Sequence, residues 1–281
     1  MIPVVQGVPP GSPVRKDAGM DTDDVRSAAR QAGNHPALET AARLGYAVNG
    51  VLHLLIAWLG FQLALGAGGG SADQSGALQT VAGTAVGRAS LWIGVLGFLG
   101  LGLWQVTEVF VSRDETSDRV KAAAKAVLYL FLSFSCLTWA RGSSGSSSST
   151  QTVDFTATLM EKPAGRVLVG LLGLGIVAVG VYHVAKGWRR TFLKDLDEHP
   201  GVLAERAGRF GYIAKGVALV LVGILFALAA LHAAPSEATG LDGALRTMLK
   251  APQGPLLLAV VALGFAAYAV YSFARARHAK V

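Results

Sequence analysis

The side chains best suited to chemistry in this chain lie inside long apolar stretches. They are His53 and His183, and a set of amide and ammonium groups at Asn49, Lys125 and Lys215. A pair of histidines could bind a metal or pass a proton. Neither, however, has a nearby Cys or Asp or the HExxH spacing a zinc site uses, so the metal signal is weak. His53 lies ten residues past Arg43, about 15 Å along a helix, where an interhelical hydrogen bond is the expected role. His183 shares its aligned position with Gln105 and Ser272, a column that accepts small polar groups in general. No Walker or GxGxxG pattern occurs, and no nucleophile, base and orienting acid can be assembled. An enzyme is therefore disfavoured, with no catalytic residue, cofactor or metal expected.

The cationic set has a clearer pattern. Asn49, Lys125 and Lys215 each sit six residues after an arginine, about 9 Å further into a helix. Intramembrane charges are costly and face a bundle interior or a water cavity. Two readings follow: the lysines snorkel to the headgroups, or they form a basic vestibule for an anionic headgroup or metabolite. The second reading makes Arg43, Asn49, Lys125, Arg209 and Lys215 a candidate anionic headgroup site. A second charged column, Glu108, Lys186 and Arg275, lies at similar depth, and Glu108 could pair with Lys125 or Lys215.

These groups must be positioned by membrane helices. The chain has 281 residues, 52% hydrophobic and only 15% charged, against about 25% charged in soluble domains. Six stretches are long and apolar enough, or nearly so, to cross about 30 Å of hydrocarbon. The third, Ala126 to Ala140, reaches spanning length only if Lys121 and Lys125 snorkel. Residues 1–35 mix basic and acidic residues without apolar periodicity and read as a disordered cytoplasmic tail. They lack the apolar core of a cleavable signal, so the first span is expected to be an uncleaved anchor. The single Cys136 excludes a disulfide framework within the chain. With both termini taken as cytoplasmic, 19 of the 25 Lys and Arg residues fall on that side, the positive-inside pattern. The net charge of +7 is thus a topology signal rather than a sign of nucleic-acid binding. The segment 188–206, alternating basic and acidic, reads as a solvated hairpin near the headgroups.

One two-helix unit occurs three times. RLGYAVNG at Arg43 to Gly50 returns as RFGYIAKG at Arg209 to Gly216, with a degenerate RVKAAAKA at Arg119 to Ala126. Each is followed by a Thr, six residues and a Gly: Thr80/Gly87, Thr158/Gly165 and Thr247/Gly254. The predicted units are 36–110, 111–190 and 191–281. Each crosses an even number of times, so the copies are parallel, which excludes the inverted repeats of many transporters. Aligned second helices place Gly97, Gly175 and Gly264 in one column, Gly100 in the next, and the aromatics Trp104, Tyr182 and Tyr271 one turn beyond. Small residues let membrane helices approach closely, and the aromatics suit an interfacial belt. The alternative is that the glycines leave room for a lipid or ligand.

The repeated R-x-G-Y-x-x-[KN]-G opening, the Gly-Ala-Leu at Gly76 to Leu78 and Gly243 to Leu245, and the Gly-rich second helices resemble the bacterial domain of unknown function 1206. The resemblance covers residues 36–277 and implies tandem two-helix membrane units. The middle copy departs from it, with Lys121 for Gly, Ala122 for Tyr and Asp154-Phe155-Thr156 for Gly-Ala-Leu. The expected fold class is all-α: a polytopic membrane protein with six transmembrane helices as three parallel two-helix repeats. Its expected place is the bacterial inner membrane, with membrane lipids as partners, no nucleic acid, and a homo-oligomer left open. The functional expectation is a membrane scaffold or lipid-interacting protein; a small carrier or channel for an anionic solute is the alternative, and a membrane enzyme the third.

Overall fold

The structure is a computed structural model that describes residues 36–67, 70–111, 116–142, 148–162 and 164–279. The expected tail 1–35 lies outside them. The described chain is all helix apart from turns and one isolated bridge. Six long helices are apolar enough to cross a membrane: α1 (Pro36–Ala64), α3 (Ala85–Val111), α4 (Thr116–Ala140), α6 (Gly165–Trp188), α7 (Val202–His232) and α9 (Gly254–His278). The protein is a multi-pass membrane protein. Each hairpin carries a short helix at its tip, α2 (Gln74–Ala82), α5 (Ser148–Met160) and α8 (Leu241–Leu249), and these three form a crown on one end of the bundle. The opposite end holds the basic connections.

Local chemistry starts and stops these helices. Asp73 caps α2 by accepting from the Gly76 backbone at 3.0 Å, and the Thr84 hydroxyl accepts from the Gly87 backbone at 2.9 Å at the start of α3. Both satisfy amide groups that a helix N-terminus leaves free. The α7 helix ends on Ala233 with φ of 52°, a left-handed stop.

Neighbouring spans run in the order α4, α3, α1, α9, α7, α6. The second span of each copy packs on the first span of the next: α3 on α4, α6 on α7, and α9 on α1. Within the first and third copies the two spans also pack, α1 on α3 and α7 on α9. In the middle copy α4 and α6 make no comparable contact, so a six-helix ring is left open at one place.

The residues explain the opening. At Gly45 in the first copy an added Cβ would collide with the Gly97 carbonyl and the Leu101 side chain, so the absence of a side chain sets how close α1 and α3 lie. At Gly211 in the third copy it would fall 2.5 Å from the Tyr268 nitrogen. The middle copy has Lys121 there. Its partner column residue, Gly175, faces open space, with nothing within 4 Å of an added Cβ. The close contact of α6 is instead with the next copy. Gly173 and Gly180 of α6 face Gly223 and Gly216 of α7, where an added Cβ would lie 2.7 to 2.8 Å from backbone nitrogen of the facing helix. The seven-residue spacing suits a left-handed crossing.

Candidate functional site

The open ring encloses a cavity of about 610 Å³ reaching from the crown to the middle of the bundle. Asp73, Gln74, Gln151, Thr152 and Gly240 border it at the crown, and His53 and Lys215 border its inner end. Between them the walls are apolar, with Ile56, Phe131, Phe155, Leu172, Phe226 and Phe265 contributing. The volume falls in the range of ligand pockets, about 300 to 1,000 Å³.

At the inner end the Lys215 ammonium donates to His53 Nε2 at 3.2 Å, and His53 Nδ1 lies 2.8 Å from the Asn49 carbonyl, one turn back on α1. A carbonyl can only accept, so Nδ1 carries the proton and Nε2 is free to accept from lysine. The Lys215 nitrogen also sits 4.4 Å from the centroid of Tyr268, on α9, whose ring packs on His53 with centroids 4.6 Å apart. Asn49 reaches Ser272 at 3.4 Å. Three helices thus hold one cation at the inner end of the cavity.

Beyond this point the basic end is plugged. The connection after α6 folds back as a 3₁₀ turn, Thr191–Asp195, which buries Phe192 completely between Tyr212 and Tyr271. Tyr271 donates to the Phe192 carbonyl at 3.1 Å. Asp195 lies 2.7 Å from Lys186 and 4.0 Å from Arg275. The Asp197 amide donates to the His278 carbonyl at 2.9 Å, beside the Leu196–Ala279 bridge, tying the turn to the end of α9. The expected solvated hairpin over 188–206 is therefore, in its first part, a structural closure. Its cause is the aromatic pair that accepts Phe192 and the two cations that need an acid.

The five residues of the expected headgroup site do not form one constellation. Lys215 and Asn49 both meet the His53 neighbourhood. Arg43 is held by Glu39 at 2.8 Å and by the Arg277 carbonyl at 2.6 Å. Arg209 stacks over Trp188 at 5.1 Å, and Lys125 is exposed on α4. Repeat symmetry about an axis near the membrane normal gives equal depth, but it puts equivalent residues on different sides of the bundle. The expected column of small residues packs at Gly97, 2.9 Å from the Gly45 nitrogen for an added Cβ, at Gly100 against Ala41 and at Gly264 against Ala214, whereas Gly175 has no neighbour. Among the expected interfacial aromatics, Tyr182 is exposed, Trp104 is half-buried, and Tyr271 is fully buried under the plug. Sequence reasoning did not single out Tyr268, Phe265, Phe192 or Asp195. The only signal for Asp195 was its place as an acid among basic residues close to the membrane.

Three segments of the chain, 44–111, 120–190 and 210–279, match the sequence model of the Domain of Unknown Function family DUF1206. The uncharacterized protein YxxB of Bacillus subtilis (strain 168) is 30% identical over 249 residues, which cover 84% of this chain and 90% of the relative. No solved structure matches the chain.

Proposed function

The chain belongs to the DUF1206 family, and from this site we propose that it is a small carrier for an anionic solute in the bacterial cytoplasmic membrane, with both termini cytoplasmic and the crown outside. The observation that carries this reading is the Lys215 ammonium at the inner end of a cavity that extends to the crown helices. A half-buried cation among membrane helices is costly without an anion, and a scaffold with a dry core has no need of one. The plug supports the same reading. A carrier exposes its site to one side at a time, and the Phe192 and Asp195 closure is what a state open to the outside requires at the other end. The positive-inside distribution supports the orientation. Membrane lipids are the expected surroundings, and nucleic acid has no part.

The test is saturable binding and proteoliposome uptake of a panel of carboxylates and organic phosphates, with Lys215→Gln as the variant. A hydrogen bond to a charged group contributes about 1.5 to 3 kcal/mol, so the variant is expected to weaken binding about 10- to 100-fold. An absence of saturable anion binding, or equal affinity in the variant, would overturn the proposal.

A further inference from the structure

The walls of the cavity and the break in the ring together define the class of solute. Phe131 of α4, Phe155 of α5 and Leu172 of α6 border the cavity and are also among the exposed side chains, at 56%, 60% and 42% of full exposure. They belong to the middle copy, where α4 and α6 fail to pack. The same two helices are the least enclosed spans: the share of the most apolar stretch buried within the protein is 28% in α4 and 17% in α6, against 39% or more in the other four. The cavity is therefore continuous with the face that hydrocarbon covers. An apolar wall gives a hydrated ion nothing in exchange for its water, whereas it favours a hydrocarbon chain in proportion to area buried. At the inner end stand one ammonium and one neutral imidazole, which match one negative charge and would leave a second uncompensated.

Resting on the carrier reading above, we infer that the solute is a single-chain amphiphile with one negative charge, a long-chain carboxylate, that enters from the bilayer between α4 and α6. Its headgroup sits against Lys215 and its chain lies along Phe131, Leu172 and Phe265. Lys121 keeps this entrance open, since it stands where Gly45 and Gly211 let the other two hairpins close. A cavity of about 610 Å³ is of a size for one chain rather than a two-chain phospholipid.

The experiment uses the full chain in nanodiscs, with hexadecanoate bearing a mid-chain diazirine as photoprobe and a series of shorter carboxylates as competitors. Competition is expected to strengthen about fourfold per added methylene until the chain is enclosed. Adducts are expected on α4 and α6 around Phe131 and Leu172, and excess hexadecanoate should remove them. Lys215→Gln should lower labelling at least tenfold, while the same amphiphile with a trimethylammonium headgroup should not compete. A double change, Phe131→Trp with Leu172→Trp, narrows the entrance and should slow hexadecanoate labelling. If butanoate binds as tightly as hexadecanoate and depends on Lys215, the amphiphile inference fails and the carrier reading stands. If adducts lie only at the crown around Asp73 and Gln74, entry from the bilayer is overturned. If no carboxylate or phosphate of any length binds, the carrier reading itself fails.

Discussion

Lys215 Nζ lies 3.2 Å from His53 Nε2, a contact that joins the first and third copies at the depth where the cavity ends. It shows how broken symmetry makes a site. The positions equivalent to Lys215 are Asn49 and Lys125, and those equivalent to His53 are Tyr129 and Leu219, so no other pair in the ring can form this bond. Replacing His53 by Phe should keep the ring packing on Tyr268 and Phe265 while removing the acceptor. The ammonium then loses its hydrogen-bond acceptor, which costs about 1 to 3 kcal/mol. Thermal unfolding in detergent should show a lower Tm than the parent, and a bound carboxylate should restore more stability to the variant than to the parent. Equal Tm values would show that the bond contributes nothing to the fold.

The glycine contacts make a position-specific prediction. Gly180→Leu and Gly216→Leu each insert a side chain where even a Cβ would sit 2.7 Å from facing backbone nitrogen, and overpacking of this kind costs about 1 to 3 kcal/mol or more. Gly175→Leu, two positions from Gly173 on the same helix, meets open space and should be nearly neutral. Melting curves of the three variants test this. Similar losses at all three would contradict the assignment of the α6–α7 face.

Asp195 is the acid that holds the plug between Lys186 and Arg275. Asp195→Asn removes the carboxylate charge that both partly enclosed cations approach, so the 3₁₀ turn should loosen. Hydrogen exchange at the amides of Leu193, Leu196 and Asp197, each bonded to backbone carbonyl in the closed form, should speed up at least tenfold. The amides in the middle of α7 should not change. Unaltered exchange at the turn would mean that Phe192 alone keeps the end shut.

Orientation can be tested directly. Reporter fusions ending at Asp197 should report the cytoplasm, and fusions ending at Ala238, beside the crown helix α8, should report the outside. The reverse pattern would refute the charge-based orientation and would place the plug outside.

Much of the architecture is legible in the sequence. Hydrocarbon thickness fixes the length of a span, so six apolar stretches give six helices. An even number of crossings per repeat gives parallel copies by arithmetic. The degenerate middle copy also marks, in Lys121, the place where the ring stays open, although its meaning depends on knowing that Gly45 and Gly211 lie at helix contacts.

What the sequence could not decide is which face of each helix meets protein. In water, apolar periodicity separates inside from outside, but in a bilayer the lipid is as apolar as the protein interior, and the pattern loses that contrast. Gly173 and Gly175 are the same residue two positions apart, yet one touches α7 and the other faces open space. Tyr182 and Tyr271 share an aligned column, yet one is exposed and the other is buried under Phe192. Tertiary structure made these choices, because the backbone contact at each glycine sets the rotation of its helix and thereby turns Lys215 toward the cavity while Lys125 stays exposed.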